Sequence, residues 1–284
     1  KGATMPERVG FPAGVPSWID TTQPDPAAAA SFYGPLFGWE FEERMPPGSA
    51  GSYLMARLDG KDVAAISSQP PGSPPAPTWN TYVQVDDVDA TLEKVRSAGG
   101  AVVGGPLDVY DAGRMAVCAD PAGAVFCLWQ PGAMTGAALV NAPGTWNFSE
   151  LNTHDVDGAK RFYGTVFGWE ANEVDMGAMA GTMVRLPGYA DFLEQFDPDI
   201  KQRHADFGAP PGFSDCVAWI LPLQEGTPRW SVTFAVADTD AVASTAQGLG
   251  GTVLVEPFDV APVRSAVLRD PQGAQFTVSA FSPE

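Results

Sequence analysis

Two histidines and three cysteines are all that this 284-residue chain has by way of imidazoles and thiols. So few histidines count against a His-based metal site in each half of the chain, and no usable Ser/His/Asp set remains. Cys118, Cys127 and Cys216 show no C-x-x-C spacing and sit in apolar, strand-like contexts, so reduced, buried thiols are expected. No apolar run reaches the roughly 18 residues that a membrane-spanning helix needs, and no charged-then-apolar leader opens the chain. A cytoplasmic protein with no membrane partner is the expectation. Met5-Pro-Glu-Arg reads as the natural start, which makes Lys1–Thr4 a cloning remnant and residues up to 13 an N-terminal arm.

Cations are scarce too: 16 Lys and Arg stand against 34 Asp and Glu, for a net charge of −18. Phosphate binding needs clustered Lys and Arg, so nucleic acid is excluded as a partner. The acidic surface favours solubility and would steer a cationic small molecule by a modest long-range field. A phosphate-cradling glycine loop and a G-x-S-x-G elbow are also missing.

What the chain does have is a repeat. Phe-Tyr-Gly-Pro-Leu-Phe-Gly-Trp-Glu at Phe32–Glu40 returns, with two changes, at Phe162–Glu170. Val85–Ala90, Gly99-Gly100, Pro106-Leu-Asp-Val and Asp120-Pro-Ala-Gly return as Val236–Ala241, Gly250-Gly251, Pro257-Phe-Asp-Val and Asp270-Pro-Gln-Gly. Near-identity over such lengths marks a tandem duplication. The offset between copies grows by about 21 residues, so the second half carries an insertion near 187–215.

Each half divides again into two similar quarters. In the first, Ser17–Thr22 reads as a strand and Asp25 as an N-cap with Pro26 at the first helical position. A helix over Ala27–Phe37 then stops at Gly38, and strands follow at Trp39–Arg44, Tyr53–Leu58 and Val63–Ser67. The second quarter repeats the plan with strand Thr78–Val85, a helix from Asp87 to Ala98 closed by Gly99-Gly100, and strands Ala101–Gly104, Arg114–Ala119 and Val125–Gln130. Gln69–Pro77 and Pro131–Thr145, rich in Pro, Gly and Ala, read as linkers. The fold class is therefore α+β, with βαβββ units four times over. The expected domains are 14–133 and 145–284, joined by a linker at 134–144. In the insertion, Phe192, Phe196, Ile200 and Phe207 fit a helix with one apolar face broken near Pro198. A lid over a pocket and a helical excursion packed on its own domain are both open readings.

Paired βαβββ units, a helix ending Phe-Tyr-x-x-x-Phe-Gly-Trp and a strand after Asp-Pro-x-Gly resemble the vicinal oxygen chelate superfamily, which holds glyoxalase I, extradiol dioxygenases and bleomycin-resistance proteins. The resemblance covers nearly the whole chain and is closest to tandem-domain actinobacterial proteins, some of which lie in antibiotic-biosynthesis pathways. It implies curled mixed sheets around a cup that binds ligand. Whether each cup forms within a half or across halves is open at this level.

The same resemblance says where a metal would sit: on a His seven residues before the capping Asp, and on a Glu four after the Asp-Pro-x-Gly glycine. Those places hold Trp18, Asn80 and Cys127 in the first half, and Phe148, Ser231 and Thr277 in the second. None is a good ligand for a divalent cation, so no metal and no cofactor are expected. His154, beside the cap Asp155, reads as a solvated loop residue, and His204 lies in the insertion. Asp20 and Glu150 occupy matching positions, but one carboxylate per cup is thin support for a metal.

Period-two alternation nominates the cup linings. The first comprises Trp18, Asp20, Asn80, Tyr82 and Cys127, with Met55 and Arg57. The second comprises Phe148, Glu150, Asn152, Ser231, Thr233 and Thr277, with Met183, Arg185 and Trp219. Aromatic rings and isolated polar groups suit a binding pocket for a flat ligand. A carboxylate there would pair with an amino group of that ligand, or with Arg57 or Arg185 in its absence. The expected function is metal-independent binding of a small aromatic natural product, with a cationic group as an option, which is protected or handed to a biosynthetic enzyme. The alternative is a metal-free cyclase, isomerase or hydroxylase accessory for a polyketide-like substrate, with Asp20 or Glu150 as general base.

Overall fold

The computed structural model describes residues 10–69, 77–176, 179–260 and 262–282. The expected remnant Lys1–Thr4, the start at Met5 and most of the Gln69–Pro77 linker lie outside the described residues. The first quarter is β1 (Pro16–Gln23), α1 (Pro26–Phe37), β2 (Glu40–Glu43), β3 (Tyr53–Leu58) and β4 (Lys61–Ser68). The second is β5 (Thr78–Gln84), α2 (Val88–Ser97), β6 (Ala101–Val109), β7 (Gly113–Ala119) and β8 (Val125–Pro131). The third is β9 (Thr145–Thr153), α3 (Val156–Phe167), β10 (Glu170–Met176) and β11 (Met179–Arg185), then the insertion with α4 (Tyr189–Leu193), α5 (Ile200–Asp206) and a 3-10 turn (Phe213–Asp215), and β12 (Cys216–Pro222). The fourth is β13 (Arg229–Ala235), α6 (Thr239–Gly248), β14 (Thr252–Val260), β15 (Val263–Arg269) and β16 (Gln275–Phe281).

The four long helices start where a side-chain oxygen meets an unsatisfied N–H. Asp25, Asp87, Asp155 and Asp238 accept from the backbone of Ala28, Ala90, Gly158 and Ala241. Each such cap is worth about 1 kcal/mol. Gly38 and Gly168 end α1 and α3 at φ of 76° and 74°, the left-handed conformation that glycine adopts without a Cβ penalty. β6 runs past the expected stop at Gly104. It lies at the edge of its sheet, where Pro106 costs no ladder bond, and register shifts on either side of Gly104 absorb the irregularity.

Each half of the chain supplies one open sheet of eight strands, in the orders β2-β3-β4-β1-β5-β8-β7-β6 and β10-β11-β12-β9-β13-β16-β15-β14. The sheets are mixed: β1–β4, β5–β8, β9–β12 and β13–β16 pair parallel, and hairpin neighbours pair antiparallel. The sheets thus form within halves.

Compactness divides the chain differently. One unit gathers the described residues of Lys1–Ser17, Thr81–Gly136 and Phe148–Trp230; the other gathers those of Trp18–Asn80, Ala137–Asn147 and Ser231–Glu284. Second and third quarters share one unit, first and fourth the other. In the first of these units Val83, Leu92, Val95, Phe126, Leu128, Leu151, Phe162 and Ile220 form one buried core.

The repeated peptides supply the joint inside each unit. Tyr163 is buried; its Oη donates to Asp120 Oδ2 at 3.1 Å and accepts from Trp230 Nε1 at 2.9 Å. Asp120 Oδ1 meanwhile accepts from the backbone of Ala122 and Ala124, both at 2.9 Å. In the other unit Tyr33 donates to Asp270 Oδ2 at 2.9 Å and accepts from Trp79 Nε1 at 3.1 Å, and Gln23 Nε2 also reaches Asp270 at 2.7 Å. So the Tyr of Phe-Tyr-Gly binds the Asp of Asp-Pro-x-Gly from another quarter. The Trp of each repeat is anchored as well: Trp169 Nε1 donates to Gly14 O at 2.6 Å, and Trp39 Nε1 to Gly144 O at 2.7 Å.

The Gly-Gly pairs are more than the helix stops expected of them. Gly99 has φ 89° and ends the helix, but a Cβ on Gly100 would lie 2.7 Å from the ring of Phe162. Gly251 meets Phe32 in the same manner at 3.0 Å. The second glycine leaves no room for a Cβ, because backbone carbonyls (Ala119 O at 2.8 Å for Gly100, Ala246 O and Arg269 O at 3.0 Å for Gly251) and a phenylalanine from another quarter both close on it.

Burial is the main reason that the Tyr163 hydroxyl is held well above its ordinary pKa, with the Asp120 charge adding to it. Burial also raises the Asp120 carboxyl, outweighing the hydrogen bonds that favour its charged form. Removing the hydroxyl in Tyr163→Phe leaves a buried carboxylate oxygen and an indole N–H without their partner. We expect a loss of about 2–3 kcal/mol in chemical denaturation, against less than about 0.5 for Tyr110→Phe on the surface. The raised Asp120 pKa means that the native state holds this proton after the unfolded chain has released it. Its stabilising contribution is full below about pH 4 and is lost as pH rises through the raised value. Denaturation across that window should show this decline in the native protein and lose it in Asp120→Asn.

Candidate functional site

Alternation along β1 puts Ile19 in the apolar interior and turns Trp18, Asp20 and Thr22 to the opposite face. Register then extends that face. Asp20 and Thr22 pair with Ala65 and Ser67 on β4, and these pair with Met55 and Tyr53 on β3. Trp18 Nε1 donates to Tyr53 Oη at 3.0 Å, and Tyr53 Oη donates to Asp20 Oδ2 at 3.4 Å. Asn80 Nδ2 reaches Asp20 Oδ1 at 2.8 Å and Thr22 Oγ1 at 3.0 Å. Trp18, Asp20, Met55 and Asn80 are therefore brought together, around a buried carboxylate held by amide and phenol.

The expected pairing of Asp20 with Arg57 does not form. A bulge between Ala56 and Arg57 carries the guanidinium to the margin, where Nε meets Asp62 at 2.8 Å and Nη1 meets Glu42 at 3.0 Å. Tyr82 and Cys127, register partners on β5 and β8, are both buried, and the Tyr82 ring meets Trp129 edge-on at 6.5 Å.

The third quarter builds the matching face. Leu151 is in the core, while Phe148, Glu150 and Asn152 turn away from it and stay partly exposed. Glu150 pairs with Trp219 on β12, Trp219 with Met183 on β11, and Met183 with Asn172 on β10. One row thus crosses four strands, with Trp219 between a carboxylate and a thioether. The neighbours of Trp219 along its strand, Ala218 and Ile220, belong to the core. Arg185, the other cation considered for a carboxylate here, meets Glu170 at 3.0 Å and Asn172 at 3.2 Å. Asn152 Nδ2 makes a long 3.4 Å contact to Glu150 O. In the other unit Thr233 and Thr277 are register partners on β13 and β16; Thr233 is buried, and Thr277 and Ser231 are partly exposed.

The insertion packs as a helical excursion on its own unit. Tyr189, Leu193 and Ile200 are buried in the core of their unit, so α4 and the start of α5 are packed structure; Phe207, by contrast, is exposed. Its last turn, however, sets Phe213 edge-on to Phe148 at 6.1 Å, at the margin of the third-quarter face. His204 Nδ1 lies 2.9 Å from Ser214 Oγ, and burial lowers its pKa, with Arg203 contributing. His154 is exposed, its ring nitrogens 2.7 and 2.8 Å from the carbonyl oxygens of Leu223 and Gly226. Both histidines tie down local loops.

A divalent metal does not fit the residues at the expected positions: an indole, an amide, a thiol, a phenyl ring and two hydroxyls. The thiol among them, Cys127, is buried. Among the described residues no group of three or more His, Cys, Asp and Glu converges as a metal site would require. A surface cleft of about 430 Å³ between α2 and the end of α3 is lined by Asp87, Lys94 and Thr165, outside the sheet faces that carry the aromatic and carboxylate groups. Sequence reasoning missed Tyr53, Ala65, Asn172 and Phe213. Period two from Met55 leads directly to Tyr53; the other three need the register or the end of the insertion. No helix among the described residues is long and apolar enough to cross a membrane.

Four βαβββ quarters, two per sheet, define a tandem glyoxalase-type architecture. Residues 17–128 match the model of the glyoxalase/bleomycin resistance protein/dioxygenase superfamily, and residues 149–279 match that of the glyoxalase-like domain. The chain belongs to this superfamily. It is 41% identical over 284 residues to a protein of Mycobacterium tuberculosis named "Putative glyoxylase CFP32", covering 99% of this chain and 100% of the relative. It is 36% identical to the anthracycline biosynthesis protein DnrV of Streptomyces peucetius, covering 94% of each. The Mn(II)-bound glyoxalase from Novosphingobium aromaticivorans shares the fold, with a TM-score of 0.59 at 14% identity over 94% of this chain and 82% of that one.

Proposed function

We propose that this protein binds a small, flat aromatic natural product without the help of a metal, in antibiotic biosynthesis or self-protection, and holds it or passes it to a biosynthetic enzyme. The observation that carries the reading is the set of side chains at the six ligand positions: Trp18, Asn80, Cys127, Phe148, Ser231 and Thr277. These leave a divalent cation without charge or imidazole, and Phe148, which is partly exposed, offers a ring to an aromatic ligand. The likeness to DnrV, an anthracycline biosynthesis protein, supports a polycyclic aromatic ligand. The net charge of −18 suits a ligand that carries a cation.

A metal-free enzyme is the second reading, and the structure favours one base over the other for it. Asp20 is buried and accepts from Asn80 and Tyr53, whereas Glu150 is partly exposed beside Trp219. General-base work on a bound polyketide-like substrate would fall to Glu150.

Calorimetric titration with an anthracycline amino-glycoside, before and after treatment with chelator, tests the proposal. We expect micromolar or tighter binding, unchanged by chelator, and an unaltered ligand after prolonged incubation. Binding or turnover abolished by chelator would overturn the metal-free reading. Chelator-resistant turnover lost in Glu150→Gln would replace sequestration with the second reading.

A further inference from the structure

We propose that the duplicated faces have diverged in use: the third-quarter face takes the ligand, with Trp219 as its stacking surface and Glu150 as the reader of a cationic group, while the first-quarter face is filled by the protein's own side chains. This rests on the binding reading above and gives it a place and a ligand chemistry. It follows from comparing positions that the duplication makes equivalent.

The repeat pairs Trp18 with Phe148 and Asp20 with Glu150, and matching registers add Met55 with Met183 and Ala65 with Trp219. On the first-quarter face Trp18, Asp20, Met55 and Ala65 are 2%, 2%, 5% and 0% exposed. Nothing the size of a ring can touch a row so covered without displacing part of the protein. On the third-quarter face Phe148, Glu150 and Trp219 keep accessible surface, and only Met183 is closed off. An indole in the middle strand of a sheet, turned away from the core and still accessible, is costly to leave wet and offers a flat, polarisable surface to another ring.

The carboxylate beside it sets the second half of the specificity. Glu150 is the register partner of Trp219, so a group on the edge of a ring stacked on the indole lies within its reach. A fused aromatic ring bearing an ammonium or ring-nitrogen cation fits both features, through stacking and through ion pairing. Phe213, lodged against Phe148, bounds the face on the insertion side. The exchange of Ala65 for Trp219 at equivalent positions is thus the substitution that separates a filled face from a receptive one.

The test uses the full chain and two probes, 9-aminoacridine as a flat cation and anthraquinone-2-sulfonate as a flat anion. We expect 9-aminoacridine to bind one equivalent with tryptophan quenching, and the anion to bind at least about tenfold more weakly. Trp219→Phe should lower affinity several-fold and Trp219→Ala about tenfold. Glu150→Gln should narrow the gap between cation and anion, and Ser67→Ala, on the first-quarter face, should bind as the native protein does. Melting curves accompany each variant, and Trp219→Phe and Glu150→Gln decide the matter if Trp219→Ala fails to fold. Undiminished binding in both of these, loss in Ser67→Ala, or no binding of 9-aminoacridine to the native protein at millimolar concentration would each overturn the inference. If an anthracycline binds but ignores Trp219, the functional reading stands and this one falls. If 9-aminoacridine maps to Trp219 and no anthracycline binds, the face stands and the natural ligand is of another kind.

Discussion

A buried tyrosine hydroxyl held between a carboxylate and an indole is the contact on which this structure turns. It occurs twice, as Tyr163 with Asp120 and Trp230, and as Tyr33 with Asp270 and Trp79. Each instance ties the helix of one quarter to the Asp-Pro-x-Gly turn of another, inside one compact unit. A buried carboxylate is tolerated only when its lone pairs are satisfied, and here backbone N–H groups of its own turn complete the set. The side chain that fixes the turn therefore also fixes the helix against it. With the helices secured on one side of each sheet, the other faces need not carry stability and can vary.

The duplicated faces have used that freedom unequally. Where the first quarter has Asp20 buried between Asn80 and Tyr53, the third has Glu150 accessible beside Trp219. One extra methylene on the carboxylate and an indole in place of a methyl group change a closed polar cluster into an aromatic surface with a charge at its edge. The superfamily's fold is retained in both halves, while the six positions where the resemblance places metal ligands hold an indole, an amide, a thiol, a phenyl ring and two hydroxyls.

Much of the fold could be read from residues alone, because its signals are local. The capping aspartates, the left-handed glycines and the internal repeat each act within a few residues, and each appears in the structure where expected. Signals that depend on a distant partner were not legible. The hydrogen bonds of Tyr33 and Tyr163 are among these, since their partner carboxylates lie 237 and 43 residues away. Gly100 read as part of a helix stop because the Phe162 ring that excludes a Cβ comes from another quarter. That Trp18 and Asp20, and Phe148 and Glu150, share the sheet faces turned away from Ile19 and Leu151 followed from alternation. The place of Arg57 did not, because a bulge shifts its register, and the opposition of Ala65 to Trp219 needs strand pairing that no single segment encodes.

Hydrogen–deuterium exchange with and without a flat aromatic cation tests most directly where the ligand sits. Added protection is expected along Phe148–Asn152 and Cys216–Leu221, with Ser17–Thr22 and Val63–Ser67 unchanged. Protection confined to Ser17–Thr22 and Val63–Ser67 would contradict this placement.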